Sequence, residues 1–140
     1  MAQQVQEIMT TQIQSVPERA TLRDVARTMR DRQIGDVLVT DNNGKLCGIV
    51  TDRDLVVRAL ADDKDLDTTQ VKEICTDQLE TLDPSSSIDD AVTLMREKAI
   101  RRIPVVRDGV PVGIVSIGDL AVERDPRSAL ADISAAEPSS

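Results

Sequence analysis

The chain is expected to be a mixed α/β (α+β) protein made of two β-α-β-β-α repeats packed with pseudo-two-fold symmetry. Three observations predict this. The first is duplication. With a shift of 66 residues, Val5 falls on Val71, Ile8 on Ile74, Asp24 on Asp90, Met29 on Met95 and Ile34 on Ile100. Omitting Asn43 sets the remainder at 65, so that Gly48 meets Gly113 and Asp54-Leu55 meets Asp119-Leu120. Between Val5 and Leu55, 16 of 50 aligned pairs are identical, against about three expected from ordinary residue frequencies. The second observation is patterning: each copy carries one helical apolar stripe followed by two short apolar runs joined by a turn. The third is size. A copy of about 60 residues would bury too little apolar surface alone, so two copies sharing a core are expected.

The elements follow in order. Copy one opens at Val5 to Thr10, with a short extended piece around Ile13 to Val16. Thr21-Leu22-Arg23-Asp24 reads as a capping box, and Leu22, Val25, Ala26 and Met29 then form one helix face. Val37 to Thr40 is a strand, Asp41-Asn42-Asn43-Gly44 a turn, and Leu46 to Val50 the returning strand. Arg53 to Ala61 reads as a helix with Leu55, Val56, Ala59 and Leu60 on one side. In copy two, Ser87 caps a helix with Ile88, Ala91, Val92 and Met95 on its face. Ile103 to Val106 and Val112 to Val115 flank a tight Asp108-Gly109 hairpin turn. A last helix from about Ile117 is stopped by Pro126. The expected divisions are a first repeat at 5–61, an acidic linker at 62–70, a second repeat at 71–126 and a C-terminal tail at 127–140, partly disordered.

Composition excludes several functions. The chain has no Phe, Tyr or Trp and a formal net charge of -8. Base stacking on aromatic rings and a phosphate-backbone partner are both disfavoured, so no nucleic acid is expected. With no His, Ser-His and Cys-His nucleophile pairs, imidazole metal sites and the usual general base are missing. No enzyme and no metal site are expected. No apolar run reaches 18 residues, so no membrane association is expected. Met1-Ala2-Gln3-Gln4 has neither the basic nor the apolar part of a signal peptide, which points to the cytoplasm. Cys47 and Cys75 align with Val112 and Met9, so both are read as reduced fillers of apolar positions.

Two segments carry candidate chemistry: Gly48-Ile49-Val50-Thr51-Asp52-Arg53-Asp54 and Gly113-Ile114-Val115-Ser116-Ile117-Gly118-Asp119. Each places a hydroxyl at a helix start, where unpaired N–H groups favour anions. Each places a carboxylate three residues on, able to accept bonds from two vicinal ribose hydroxyls. The glycine admits a close backbone or a ligand. The same spacing is also that of a plain helix cap, and the residues leave the two readings level. A second feature is one-sided. Arg101-Arg102 precede the copy-two strand and can clamp a phosphate through forked donors, or stand solvated. Copy one has Gly35-Asp36 there, and the Asp36 carboxylate opposes a phosphate, confining that ligand to one side.

The paired Gly-x-x-Thr/Ser-x-x-Asp, the Arg101-Arg102-Ile103-Pro104-Val105-Val106 strand and the repeat period together resemble the CBS domain family, over about Val5 to Asp125. The resemblance implies a tandem pair that binds AMP, ADP, ATP or S-adenosylmethionine between its copies as a regulatory ligand, with no required cofactor. By position, Asp54 and Asp119 hold ribose hydroxyls, and Thr51 and Ser116 bond phosphate or ribose. Arg101 and Arg102 meet phosphates. Backbone near Ile13 to Val16, Leu79 to Leu82, Val37 and Ile103 frames the adenine, and Val16, Val37, Ile103 and Pro104 are counted among the ligand-binding residues. The resemblance also implies a homodimer formed through helices and an effector protein outside this chain. Leu38 stands where many members have proline, opposite Pro104. A second reading is a ligand-independent homodimeric interaction module in which the turns are caps only.

Overall fold

A computed structural model describes residues 3–124; the expected stop at Pro126 and the tail lie outside the described residues. Two compact units form, one of residues 14–79 and one of residues 3–13 with 80–124.

In the first unit, strands β1 (Ser15–Pro17), β2 (Asp36–Thr40) and β3 (Leu46–Thr51) form one sheet in that order, β1 parallel to β2 and β2 antiparallel to β3. Helix α1 (Leu22–Arg32) begins at Thr21, whose hydroxyl accepts the Asp24 N–H at 3.2 Å. It ends at Gln33, which takes a left-handed φ of 56°. Its buried stripe is Leu22, Val25 and Met29, packed with Val16, Val37, Val39 and Val50; Ala26, expected on that face, is exposed. The β2–β3 turn is tied by the Asp41 carboxylate, which accepts the N–H groups of Asn43 and Lys45 at 2.8 and 3.0 Å.

Past β3 the structure departs from expectation. Helix α2 (Asp52–Asp54) makes one turn and passes into a π-helical stretch, Leu55–Leu60. Bonds from Ala61 N–H to Val56 O and from Lys64 N–H to Ala59 O show the wider winding. The expected apolar side is thereby split. Ala59 is fully buried, whereas Val56, Val57 and Leu60 are 56, 48 and 63% exposed.

The second unit holds α3 (Ile88–Lys98), strands β4 (Arg102–Arg107) and β5 (Val110–Ser116), antiparallel, and α4 (Ile117–Arg124). Ser87 caps α3 as Thr21 caps α1, with Asp90 N–H at 3.0 Å. The hairpin turns through Asp108 and Gly109, both at positive φ, as a type I′ turn requires. Duplication extends to the irregularities. Cys47 in β3 and Val112 in β5 both stand unpaired at a register shift, after Gly48↔Val39 and Gly113↔Val105.

Copy two lacks a full counterpart of β1, having a single parallel bridge, Leu82↔Val105. Two prolines explain this. In copy one, Leu38 N–H donates to Gln14 O at 3.0 Å and Glu18 N–H to Thr40 O at 2.9 Å. The aligned donors in copy two are Pro104 and Pro84, which carry no N–H. Only the central pair survives, Leu82 N–H to Pro104 O at 3.0 Å and Val106 N–H to Leu82 O at 2.8 Å.

The opening segments pack with the opposite copy. Val71 N–H bonds Ala20 O and Thr76 exchanges both backbone bonds with Ile49, inside the first unit. Val5 N–H bonds Ser86 O and Thr10 exchanges both with Ile114, inside the second. Val71 and Val5 are each completely buried, in the cores of those units. Each such burial contributes about 1.5–3 kcal/mol.

Candidate functional site

The two hydroxyl–x–x–carboxylate turns have one geometry. Thr51 ends β3 in extended conformation, and its hydroxyl accepts the Asp54 N–H at 3.1 Å while Asp54 Oδ2 accepts the Thr51 N–H at 2.9 Å. Ser116 and Asp119 repeat the pair at 3.1 and 2.9 Å. The turns are therefore reciprocal capping boxes, so the capping reading is realised in both copies. Each box engages one carboxylate oxygen and leaves the hydroxyl its own proton to donate. Both turns are pinned to the preceding strand mouth: Asp52 N–H bonds Gly35 O and Ile117 N–H bonds Arg101 O, each at 2.9 Å.

The glycines have a packing explanation. A Cβ on Gly48 would lie 2.6 Å from Cys75 Sγ and 3.0 Å from Thr76 O, and one on Gly113 would lie 2.5 Å from Met9 Sδ and 3.0 Å from Thr10 O. The close neighbour is the opening segment packed on the strand. A close backbone, one of the two readings given to the glycine, is thus present at both, with the Cys75 and Met9 side chains beside it.

The surroundings of the two turns differ. Arg102 lies across the β4–β5 register from Ser116, and Asp36 holds the corresponding place across from Thr51. Arg101 and Arg102 are exposed. The second Asp54 oxygen, Oδ1, stands 3.7 Å from Arg58 Nε, and the same guanidinium donates to Ile74 O at 3.1 Å. Asp119 has no such ion pair among the described residues; the residue aligned with Arg58 is Glu123. Arg58 was not singled out from the sequence, although a cation four residues after Asp54 on one helix was the available signal.

Val16, Val37 and Ile103 sit on β1, β2 and β4 with side chains buried in the cores, so only their backbone can face a ligand. Pro104 is buried and pairs with Ile114 in register. Thr51, Asp54, Val16 and Val37 thus belong to the first unit; Ser116, Asp119, Arg101, Arg102, Ile103 and Pro104 belong to the second.

Cys47 and Cys75 are half-buried against the first core. Burial, with the Glu18 carboxylate nearby, pushes the Cys47 thiol up to about 11. Burial also raises Cys75, with Asp77 adding to it. Both are protonated at neutral pH and are poor nucleophiles. Among the described residues no group of three or more His, Cys, Asp and Glu is placed to hold a metal ion, and no helix is long and apolar enough to cross a membrane.

Fold and turns together define a tandem α/β repeat module with one capped carboxylate turn per copy. A sequence model of the CBS domain matches residues 5–60 and 71–124, and the chain belongs to the CBS domain family. It is 38% identical over 120 residues to the CBS domain-containing protein YhcV of Bacillus subtilis, covering 86% of this chain and 84% of that one. It is 34% identical over 115 residues to hypoxic response protein 1 of Mycobacterium tuberculosis, covering 82% and 80%. The crystal structure of Hypoxic Response Protein I, which has two coordinated zinc ions, superposes with a TM-score of 0.76 at 32% identity over 84% of this chain and 96% of that one. The CBS domain pair of protein MJ0100, solved with 5'-methylthioadenosine and S-adenosyl-L-methionine, gives 0.77 at 25% identity over 89% and 98%. CBS pairs are generally non-catalytic regulatory modules, and no catalytic family is indicated.

Proposed function

We propose that this chain is a regulatory module that binds an adenosine-containing ligand (AMP, ADP, ATP or S-adenosylmethionine) on its capped turns and signals to a separate effector protein. At whichever turn is occupied, Asp54 or Asp119 accepts ribose hydroxyls through the oxygen that the capping box leaves over. Thr51 and Ser116 donate to ribose or phosphate, and Arg101 and Arg102 neutralise phosphate. Backbone around Val16, Val37, Ile103 and Pro104 frames the base. The observation that carries this reading is the duplicated turn, in which the capping box fixes each carboxylate by one oxygen and leaves the other outside the box, with Arg58 Nε 3.7 Å from it at Asp54. The adenosyl ligands of the MJ0100 pair support it. The module works in the cytoplasm, and ligand acts on the effector only through unequal affinity for two states of the module.

Calorimetry with AMP, ATP and S-adenosylmethionine tests the proposal. Binding that Asp119→Asn weakens, with the circular dichroism spectrum unchanged, supports it. No binding and no thermal shift at millimolar ligand would sink it.

A second reading has its own observation. Val56, Val57 and Leu60 form an exposed apolar stripe on the π-helical stretch. In the other unit, a groove of about 330 Å³ runs beside α3 and α4, lined by Val92, Met95, Ile100, Ile117, Leu120 and Ala121 with Arg96. Apolar surface of this kind favours a homodimer through helices, which is a function in itself if no ligand binds. Sedimentation of wild type and Leu60→Glu decides it: a monomeric wild type would refute this reading.

A further inference from the structure

The two turns are alike at the capping box and unlike in everything around it. We propose that the chain takes one phosphorylated ligand, on the Ser116–Asp119 turn, and that Leu38, Asp36 and Arg58 close the Thr51–Asp54 turn to it. The inference rests on the ligand-binding reading above and specifies which of its two sites is used.

Three independent features converge. The first is the strand edge. In copy one, the Leu38 N–H is spent on the Gln14 carbonyl at 3.0 Å, so that acceptor already has its donor. In copy two, Pro104 has no N–H to give to the aligned Glu80 carbonyl. That carbonyl receives nothing from β4 and suits a donor such as the amino group of a base. The second is charge at the strand mouth. Arg101-Arg102 precede one turn and Gly35-Asp36 the other, a difference of three formal charges beside the hydroxyl. Asp52 adds to it: its carboxylate oxygen lies 3.0 Å from where a Cβ on Gly35 would be. A phosphate at Thr51 would lie beside Asp36, its partner across the register, whereas one at Ser116 would lie beside Arg102, its partner across the register, with Arg101 next in the chain. The third is occupancy of the ribose acceptor. Arg58 lies between Asp54 Oδ1 at 3.7 Å and Ile74 O at 3.1 Å, so a ribose there competes with it. The position aligned with Arg58 carries Glu123, which offers no such cation to Asp119.

The closure is a preference built by small local differences. Any one of them moves affinity modestly, since exposed ion pairs are weak. A missing hydrogen bond to a charged group changes affinity by roughly tenfold or more. The copy-two turn therefore dominates at working concentrations.

Isothermal titration of the full chain with AMP is the test, on wild type, Asp119→Asn, Arg102→Ala and Asp54→Asn. The asparagine variants keep an oxygen for the capping box, and circular dichroism checks each fold. The expected result is one AMP per chain, weakened about tenfold or more by Asp119→Asn and by a smaller factor in Arg102→Ala, with Asp54→Asn within about threefold of wild type. Two equivalents per chain would overturn the inference, and so would an Asp54→Asn loss as large as that of Asp119→Asn. Either result would leave the ligand-binding reading standing. Absence of any AMP, ATP or S-adenosylmethionine binding would instead bring down that reading and the inference with it.

Discussion

Adding one carbon to either of two glycines tests how closely the opening segments lie on their strands. In Gly113→Ala the new Cβ meets Met9 Sδ at 2.5 Å, Met9 Cγ at 2.9 Å and Thr10 O at 3.0 Å. The Met9 chain can rotate away, leaving the backbone carbonyl as the hard contact. In Gly48→Ala the neighbours are Cys75 Sγ at 2.6 Å, Thr76 O at 3.0 Å and Cys75 Cβ at 3.3 Å. A cysteine has one rotatable side-chain bond: turning it moves Sγ but leaves Cβ, at 3.3 Å, in place. Overpacking of this kind costs about 1–3 kcal/mol. The lower end is expected for Gly113→Ala and the upper end for Gly48→Ala. For a chain of this size, 2 kcal/mol corresponds to a fall in melting temperature of about 5–8 °C. Gly44→Ala is the reference: nothing lies within 4 Å of its Cβ, and only its φ of 77° opposes a side chain, at about 1–2 kcal/mol. The chain has no aromatic residue, so urea unfolding is followed by far-ultraviolet circular dichroism. If Gly48→Ala unfolds at the wild-type midpoint, or costs less than Gly44→Ala, the close approach of Cys75 and Thr76 is wrong.

Three further outcomes are expected. Val5→Ala should destabilise by about 2 kcal/mol and speed amide exchange in α3, β4 and β5; faster exchange confined to α1 and β1–β3 would contradict the packing of Val5 with Leu82, Ile88 and Ile103. Thr21→Ala and Ser87→Ala should each cost about 1 kcal/mol through loss of a helix cap, and unchanged denaturation midpoints would show those hydroxyl bonds to be idle. The Cys47 thiol, raised to about 11 by burial, should react slowly with a disulfide reagent at pH 8 and accelerate as pH climbs toward 11. A fast reaction at pH 7 would mean that the thiol is not shielded.

Much of the fold was legible because duplication supplies every signal twice. The caps at Thr21 and Ser87, the Asp108-Gly109 turn and the paired apolar strands all follow from local chemistry that the two copies share. Three things did not follow. The π-helical stretch at Leu55–Leu60 has no sequence rule of its own, and it moved Val56 and Leu60 off the expected side. The shortened first strand of copy two depended on what Pro84 and Pro104 cannot donate, visible only once the ladder partners were known. The close approach at Gly48 and Gly113 was anticipated without its identity, because the approaching segment comes from the other copy's sequence. For the candidate site, the spacing gave Thr51, Asp54, Ser116 and Asp119, while Arg58 entered only through its distance to Asp54.

The crossed placement of the opening segments has a consequence for synthesis. Residues 14–79 can close before residues 80 onward have left the ribosome. Thr10, made early, must wait for Ile114 to emerge before its backbone bonds exist. Until then Val5 and its neighbours are greasy surface with no place to go, and a translational pause before that strand would lengthen the interval in which nascent chains can stick to one another.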